Sequence, residues 1–125
     1  MAKKILIVED EQTFHDLYNA IFEGTDYDLV FAYDGDEALM KLEQTRPDLI
    51  MLDILMDMVT GDTFFLHLKG MPEFENIPVI IISAFSEKEY KSLKKIDPNL
   101  VFIEKPHLTR EKLIEEVDRK IKTVR

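Results

Sequence analysis

The chain has 125 residues, of which 46% are hydrophobic and 33% charged, with a net charge of -9 and no cysteine. This length suits one domain with its own core, and we expect a single domain over residues 1–125 without an output domain. The acidic charge argues against a nucleic-acid-binding surface, and the lack of cysteine excludes disulfides and thiolate sites. Because no apolar run could span a bilayer and no signal peptide is evident, we expect a cytoplasmic location.

Short apolar runs alternate with helix-like segments along the whole chain. The predicted strands cover residues 4–9, 29–32, 49–53, 78–83 and 100–104. Between and after them, apolar residues recur at helical spacing, namely Phe14, Leu17, Tyr18, Ile21 and Phe22, then Ala38, Leu39 and Leu42, then Phe64, Phe65 and Leu68, then Tyr90, Leu93 and Ile96, and last Leu113, Ile114, Val117, Ile121 and Val124. The pattern is therefore a strand followed by a helix, repeated along the chain.

The ends of the predicted helices carry matching signals. Asp34 or Asp36 can cap the second helix, and Thr109 can cap the last one. The first, third and fourth strands are apolar at every position, which is typical of strands covered by helices on both faces. Strict alternation of this kind predicts an α/β fold with three layers, a doubly wound (βα)5 arrangement around a parallel five-stranded sheet.

Polar side chains follow four of the apolar runs. Glu9 and Asp10 follow the first run, Asp53 the third and Ser83 the fourth, and Lys105 comes just after the fifth. Because the carboxyl ends of parallel strands share one edge of a sheet, we expect three carboxylates, a hydroxyl and an ammonium in one pocket. Such a pocket could bind Mg2+, with Mn2+ as a second possibility, and accept a phosphoryl group.

Each residue also has a plainer interpretation. A single aspartate at a strand end is most often a loop cap, and the acidic Glu11 is explained more simply by the dipole of the first helix. We interpret His15 as a surface residue of that helix. The combination favours chemistry, because a carboxylate can attack phosphorus if nearby cations neutralise the phosphoryl oxygens. Lys105 could pair first with Asp53 and then with a phosphoryl oxygen.

Five segments together resemble the receiver domain of bacterial two-component response regulators. They are Ile-Leu-Ile-Val-Glu-Asp-Glu at 5–11, Asp-Leu-Ile-Met-Leu-Asp at 48–53, Gly61, Pro-Val-Ile-Ile-Ile-Ser-Ala at 78–84 and Glu-Lys-Pro at 104–106. The resemblance covers essentially the whole chain. It implies a flavodoxin-like fold with strand order 2-1-3-4-5.

The resemblance also implies a role for each site residue. Asp53 would be the phosphoacceptor, and Ser83 and Lys105 would contact the phosphoryl group. The metal ligands would be Glu9, Asp10, Asp53 and the backbone carbonyl of Leu55. Ser83 and Phe102 would be the switch residues, which rearrange the face formed by the fourth helix, fifth strand and fifth helix.

The function implied is that of a phosphoacceptor module in a two-component system or phosphorelay. A histidine kinase or a histidine phosphotransfer protein would supply the phosphoryl group, and a downstream effector protein would read the switched face. Neither nucleic acid nor membrane is an expected partner of this chain. We expect no enzymatic activity beyond Mg2+-dependent self-phosphorylation and self-dephosphorylation.

Two other functions remain open. Asp57 stands where the family usually has Pro, which leaves a phosphorylation-independent interaction module as one alternative, and Thr60 stands where Asp is common. The other is a phosphatase with an aspartate nucleophile, which is disfavoured because Leu55 occupies the place of its second aspartate. We further hypothesise that the apolar Leu55 and Phe85 hinder an attacking water and prolong the phosphorylated state.

Overall fold

The computed structural model describes residues 2–54, 61–84, 88 and 91–123. The strands are β1 (Lys4–Val8), β2 (Asp28–Ala32), β3 (Leu49–Leu52), β4 (Val79–Ser83) and β5 (Val101–Glu104). The helices are α1 (Gln12–Ile21), α2 (Gly35–Thr45), α3 (Gly61–Lys69), α4 (Lys91–Ile96) and α5 (Arg110–Thr123), with a 3-10 turn at Lys105–His107. The predicted alternation of strand and helix is confirmed, and element boundaries differ from the predictions by a few residues.

The five strands form one parallel sheet in the order β2-β1-β3-β4-β5, which confirms the predicted topology. β1 lies between β2 and β3, so that Val8 pairs with Ala32 on one side and with Leu52 on the other. Beyond β3 in the same sheet, Ser83 of β4 pairs with Glu104 of β5. These pairs stand at the carboxyl ends of their strands and bring the residues that follow to one edge.

The sheet has a hydrophobic core on each face. Ile5 and Ile7 of β1 point into a core shared with α1 and α5, whereas Leu6 and Val8 point into a core shared with α2, α3 and α4. β3 and β4 are buried at every position, as their uninterrupted apolar sequences predict. The two packed faces make the sheet a rigid base for the loops at its edge.

Asp34, rather than Asp36, caps α2. Asp34 Oδ1 accepts a hydrogen bond of 2.8 Å from the backbone N–H of Glu37, while Asp36 lies in the first turn of the helix. Thr109 caps α5 in the same way, since its hydroxyl oxygen accepts a hydrogen bond of 3.1 Å from the N–H of Lys112. Both helices thus begin where the sequence contains a residue that can satisfy a free backbone donor.

Replacing Asp34 by Ala is expected to lower the free energy of unfolding by about 1 kcal/mol, because an N–H at the start of α2 loses its acceptor. Asp36→Ala is the matched control, since it removes only a charge near the helix dipole and should cost less than half as much. Urea denaturation of both variants measures the difference. Equal losses would show that the Asp34 hydrogen bond does not stabilise the helix.

The structure corrects two expectations for α1. Leu17, predicted on the apolar stripe, is 41% exposed, while His15, predicted on the surface, is 2% exposed. The His15 ring stacks on Phe31 and lies against Tyr33, with centroid separations of 4.4 and 4.5 Å. The helix is therefore turned so that His15 faces β2. Predictions for Leu55, Asp57, Thr60, Phe85, Tyr90 and Val124 concern positions outside the described residues.

Candidate functional site

The register of β1 and β3 places two carboxylates side by side. Glu9 and Asp53 directly follow the paired residues Val8 and Leu52. The backbone N–H of Asp53 donates to the Val8 carbonyl at 2.9 Å, and the N–H of Glu9 donates to the Ala32 carbonyl at 2.9 Å. Strand pairing therefore continues up to the site and fixes the backbone from which both side chains project.

Three carboxylates converge at this edge of the sheet. One carboxylate oxygen from each of Glu9, Asp10 and Asp53 lies within 4.8 Å of the others. Glu9 and Asp53 are buried, with exposed fractions of 1% and 3%, and Asp10 is half-buried. Carboxylates held this close repel one another unless a cation or a proton lies between them.

Lys105 brings a positive charge into the cluster. It begins the 3-10 turn after β5, and its Nζ lies 3.0 Å from Glu9 Oε1 and 3.2 Å from Asp53 Oδ2. A third carboxylate oxygen, Glu11 Oε1, is 3.6 Å away. The lysine side chain is only 9% exposed, so these ion pairs form in a largely dehydrated environment. The predicted resting pair between Lys105 and Asp53 is present.

Ser83 and Phe102 lie on the two strands beyond β3. Ser83 ends β4 and is fully buried. Phe102 is half-buried on β5 and packs against the core that contains α2, α3 and α4. The strand order puts Ser83 at the same edge as Asp53 and Lys105, as the sequence predicts, and places Phe102 one strand further out.

The site perturbs the ionisation of its own groups. Burial, and then the nearby Asp53 carboxylate, raise the pKa of Glu9 from its ordinary 4.5 to about 8, although Lys105 opposes this rise. For Lys105, burial lowers the pKa, but Asp53 and Glu9 outweigh burial and raise it above its ordinary 10.5. The ammonium therefore stays charged, and it does not fully compensate the buried carboxylates.

The donor set fits a hard divalent cation. Glu9 Oε1 is buried and accepts no hydrogen bond of good geometry in the described part of the chain, although Lys105 Nζ is close. Together with the neighbouring oxygens of Asp10 and Asp53, it offers the carboxylate ligands that Mg2+ prefers. The pKa of Glu9 is raised by burial and then by the Asp53 carboxylate, and a bound cation would favour the ionised carboxylate that both of them disfavour.

Without metal, the free energy of unfolding of the wild type should fall relative to that of Glu9→Gln as pH rises from about 5 to 8. In this range the folded protein holds a proton on Glu9 that the unfolded chain has released, so stability decreases with pH. We expect a relative change of at least about 1.4 kcal/mol, the equivalent of one pKa unit. Urea denaturation in chelator at several pH values measures it.

The exposed Glu43→Gln on α2 is the control for this measurement, and its stability should follow the wild type at every pH. Parallel profiles for wild type and Glu9→Gln would contradict the account of Glu9.

Sequence reasoning missed three contacts of the site. Glu11 is the residue at the start of α1, and its carboxylate also pairs with Lys105. Phe14 places its ring centroid 3.9 Å from Lys105 Nζ. His15 donates a hydrogen bond of 2.5 Å from Nε2 to the backbone carbonyl of Glu9. No local motif marks Phe14 or His15, because their partners are brought to them by the tertiary fold.

A cavity of about 630 Å3 lies at the opposite edge of the sheet from this site, next to Pro78 and Asn99. Lys69, one of its lining residues, is paired with Asp97 at 3.0 Å and also donates to the Glu75 carbonyl at 3.0 Å. The cavity is remote from the three clustered carboxylates. Arg119 and Lys120, which also line it, pair with Glu116 and with the Asn99 carbonyl, so the size of the cavity alone does not make it the functional site.

Comparison with known proteins agrees with this arrangement. A family model described as the response regulator receiver domain matches residues 5–118. The polar-differentiation response regulator DivK of Brucella anthropi is 36% identical over 88 residues, which cover 70% of this chain and 72% of DivK. The phosphate regulon regulatory protein PhoB of Escherichia coli is 36% identical over 89 residues, but this chain spans only 39% of PhoB.

Solved structures share the fold. The signal receiver domain of a histidine kinase from Syntrophus aciditrophicus superposes with a TM-score of 0.86 and 34% identity, covering 99% of this chain and 93% of that one. The receiver domain of the sensor kinase PA1611 from Pseudomonas aeruginosa, described with a magnesium ion in its active-site cleft, has a TM-score of 0.84 and 21% identity over 97% of this chain and 98% of its own.

The chain therefore belongs to the family of response regulator receiver domains, the phosphorylation-accepting modules of two-component systems. As a family, receiver domains are response regulators rather than enzymes in the usual sense, bind Mg2+ at an acidic site, and interact with histidine kinases and downstream effectors. In the described residues, no helix combines the length and apolar character that crossing a membrane would require.

Proposed function

We propose that Asp53 is the phosphoacceptor of a signalling module that spans residues 1–125. The observation that carries the proposal is the arrangement around Asp53, whose buried carboxylate lies beside two further carboxylates and 3.2 Å from the Lys105 ammonium. A carboxylate that only capped a loop would not require two further carboxylates and an ammonium around it. The same arrangement disfavours the idle, phosphorylation-independent module, because it concentrates repelling charges that contribute nothing to packing.

Glu9, Asp10 and Asp53 would hold Mg2+, and Mn2+ would suit the same oxygen ligands. The predicted fourth ligand, the carbonyl of Leu55, lies outside the described residues. When bound, the cation neutralises charge on the carboxylates and on the incoming phosphoryl oxygens. Its positive charge would also oppose the rise in the Glu9 pKa that burial and the Asp53 carboxylate cause.

The chain's own groups would then carry the transfer. A carboxylate oxygen of Asp53 would attack phosphorus in line, and the bond from phosphorus to the donor's imidazole nitrogen would break with its electron pair staying on that nitrogen. The other ring nitrogen carries a proton, so the donor histidine leaves in its neutral form. Lys105 moves from Asp53 to a phosphoryl oxygen, and the Ser83 hydroxyl donates to another. Attack by water later releases inorganic phosphate and regenerates the Asp53 carboxylate.

The phosphoryl group adds about 1.5–2 negative charges at the edge of the sheet. Ser83 and Phe102 would respond, and the face made by α4, β5 and α5 would change for a downstream effector. The phosphodonor would be a histidine kinase or a histidine phosphotransfer protein. A cytoplasmic location would give the module access to its phosphodonor and to its downstream effector.

The test is the intact mass of the protein after incubation with acetyl phosphate and Mg2+. The expected result is the gain of one phosphoryl group, absent when chelator replaces the metal. No gain under any condition, together with no binding of beryllofluoride, would overturn the proposal and favour the phosphorylation-independent module.

A further inference from the structure

Phe14 lies against the charged end of Lys105. The ring centroid is 3.9 Å from Nζ, well within the distance at which an ammonium is attracted to the face of an aromatic ring. The lysine side chain is 9% exposed, so little water competes for the ammonium. The contact therefore forms where such attraction is strongest.

The ring completes a cage around the nitrogen. Glu9 and Asp53 approach Nζ at 3.0 and 3.2 Å, and Glu11 at 3.6 Å, from the acidic side of the pocket. Phe14 is the uncharged member of this set. It is half-buried in the first turn of α1 and packs on the core beneath, with its ring 6.0 Å from that of Tyr18.

We propose that Phe14 is a positioning residue for phosphotransfer, which holds the Lys105 ammonium in place while its ion-pair partners change. This inference rests on the proposed function. During transfer the lysine must leave Asp53 for a phosphoryl oxygen, and a bound cation would draw Glu9 away from it. The face of the Phe14 ring neither binds a metal nor accepts the phosphoryl group. Its attraction for the Lys105 ammonium therefore persists while the ammonium changes its ion-pair partners.

Without the ring, Lys105 would depend on Glu9 and Asp53, which both change partners at the same step. An ammonium on a flexible stem could then turn towards the exposed Glu11 or the solvent. The ring keeps Nζ within reach of Asp53, which reduces the ordering required when the phosphoryl group arrives. Phe14 contacts the lysine ammonium, so we expect its effect on transfer to pass through Lys105.

The test compares Phe14→Leu, which keeps an apolar side chain but removes the ring face, with Phe14→Tyr, which keeps the ring. At saturating Mg2+ we expect Phe14→Leu to slow phosphorylation by acetyl phosphate about fivefold, equivalent to about 1 kcal/mol at 1.36 kcal/mol per tenfold change. Phe14→Tyr should stay within twofold of the wild type. Leu17→Ala, an exposed site on the same helix, controls for general disturbance of α1 and should have no effect.

A double-mutant cycle separates positioning from packing. In a Lys105→Gln background there is no ammonium to hold, so adding Phe14→Leu should change the residual rate by less than 1.5-fold. If Phe14→Leu slows both backgrounds equally, the ring acts only through packing and the proposal is overturned.

Proton NMR tests the contact independently of phosphorylation. The ε-methylene protons of Lys105 should be shifted upfield by the ring current of Phe14 in the wild type and in Phe14→Tyr, and should lose this shift in Phe14→Leu. Absence of the shift in the wild type would overturn the positioning proposal. A wild type that shows the shift but gains no phosphoryl group would instead overturn the proposed function, since the contact itself would then be established.

Discussion

Replacing Asp53 by Asn is expected to abolish phosphoryl uptake from acetyl phosphate in the presence of Mg2+. The amide keeps the size and shape of the side chain but cannot act as a nucleophile, and the proposed function assigns Glu9 and Asp10 to metal binding rather than to phosphoryl acceptance. The loss should exceed about 1,000-fold, the scale of removing the nucleophile in covalent catalysis. Intact mass spectrometry over a time course measures it.

Asp48→Asn is the matched control for this variant. Asp48 stands at the other end of β3, where its carboxylate accepts a hydrogen bond of 2.8 Å from the backbone N–H of Lys4. The control makes the same chemical change next to the same strand and should leave uptake unchanged. If Asp53→Asn still gained a phosphoryl group at the wild-type rate, another residue would be the acceptor.

Replacing Lys105 by Gln should slow phosphorylation about 100-fold, within the range found when one group that stabilises a developing charge is removed. The same change should tighten Mg2+ binding several-fold, because Nζ lies 3.0 and 3.2 Å from Glu9 and Asp53 and repels a second cation there. The two effects have opposite directions. Rates from mass spectrometry and Mg2+ titration by calorimetry measure them separately.

Lys69→Gln provides the control, since Lys69 also pairs with a carboxylate at 3.0 Å but at the opposite edge of the sheet. It should change neither the rate nor the metal affinity. A Lys105→Gln variant that bound Mg2+ more weakly would show that Lys105 organises the carboxylates for the metal instead of competing with it.

The fold could be predicted because the apolar strands, the helical spacing of apolar residues and their alternation along the chain all indicate the same architecture. Strands β3 and β4 are apolar at every position, which only a sheet covered on both faces can bury, and helices fill every interval between strands. The choice of cap for α2 needed the structure, since Asp34 and Asp36 both suit the position by type. The exposure of Leu17 also needed it, because periodicity marks a stripe without fixing its width.

The site could be predicted as far as strand ends determine it. Glu9 and Asp53 directly follow β1 and β3, Ser83 ends β4, and Lys105 follows β5, and the register of these strands is fixed by the fold. The buried His15 and the ring of Phe14 could not be predicted in this way. Their roles depend on β2 and on the turn after β5, which are distant in sequence and contact α1 only once the sheet has formed.

Borohydride reduction followed by peptide mapping tests the central claim most directly. Borohydride converts an aspartyl phosphate to homoserine, so the reduced residue marks the acceptor. After treatment with acetyl phosphate and Mg2+, we predict homoserine at position 53 and at no other carboxylate. Homoserine at position 10, or a phosphorylated protein that yields none at position 53, would contradict the assignment of Asp53 as the phosphoacceptor.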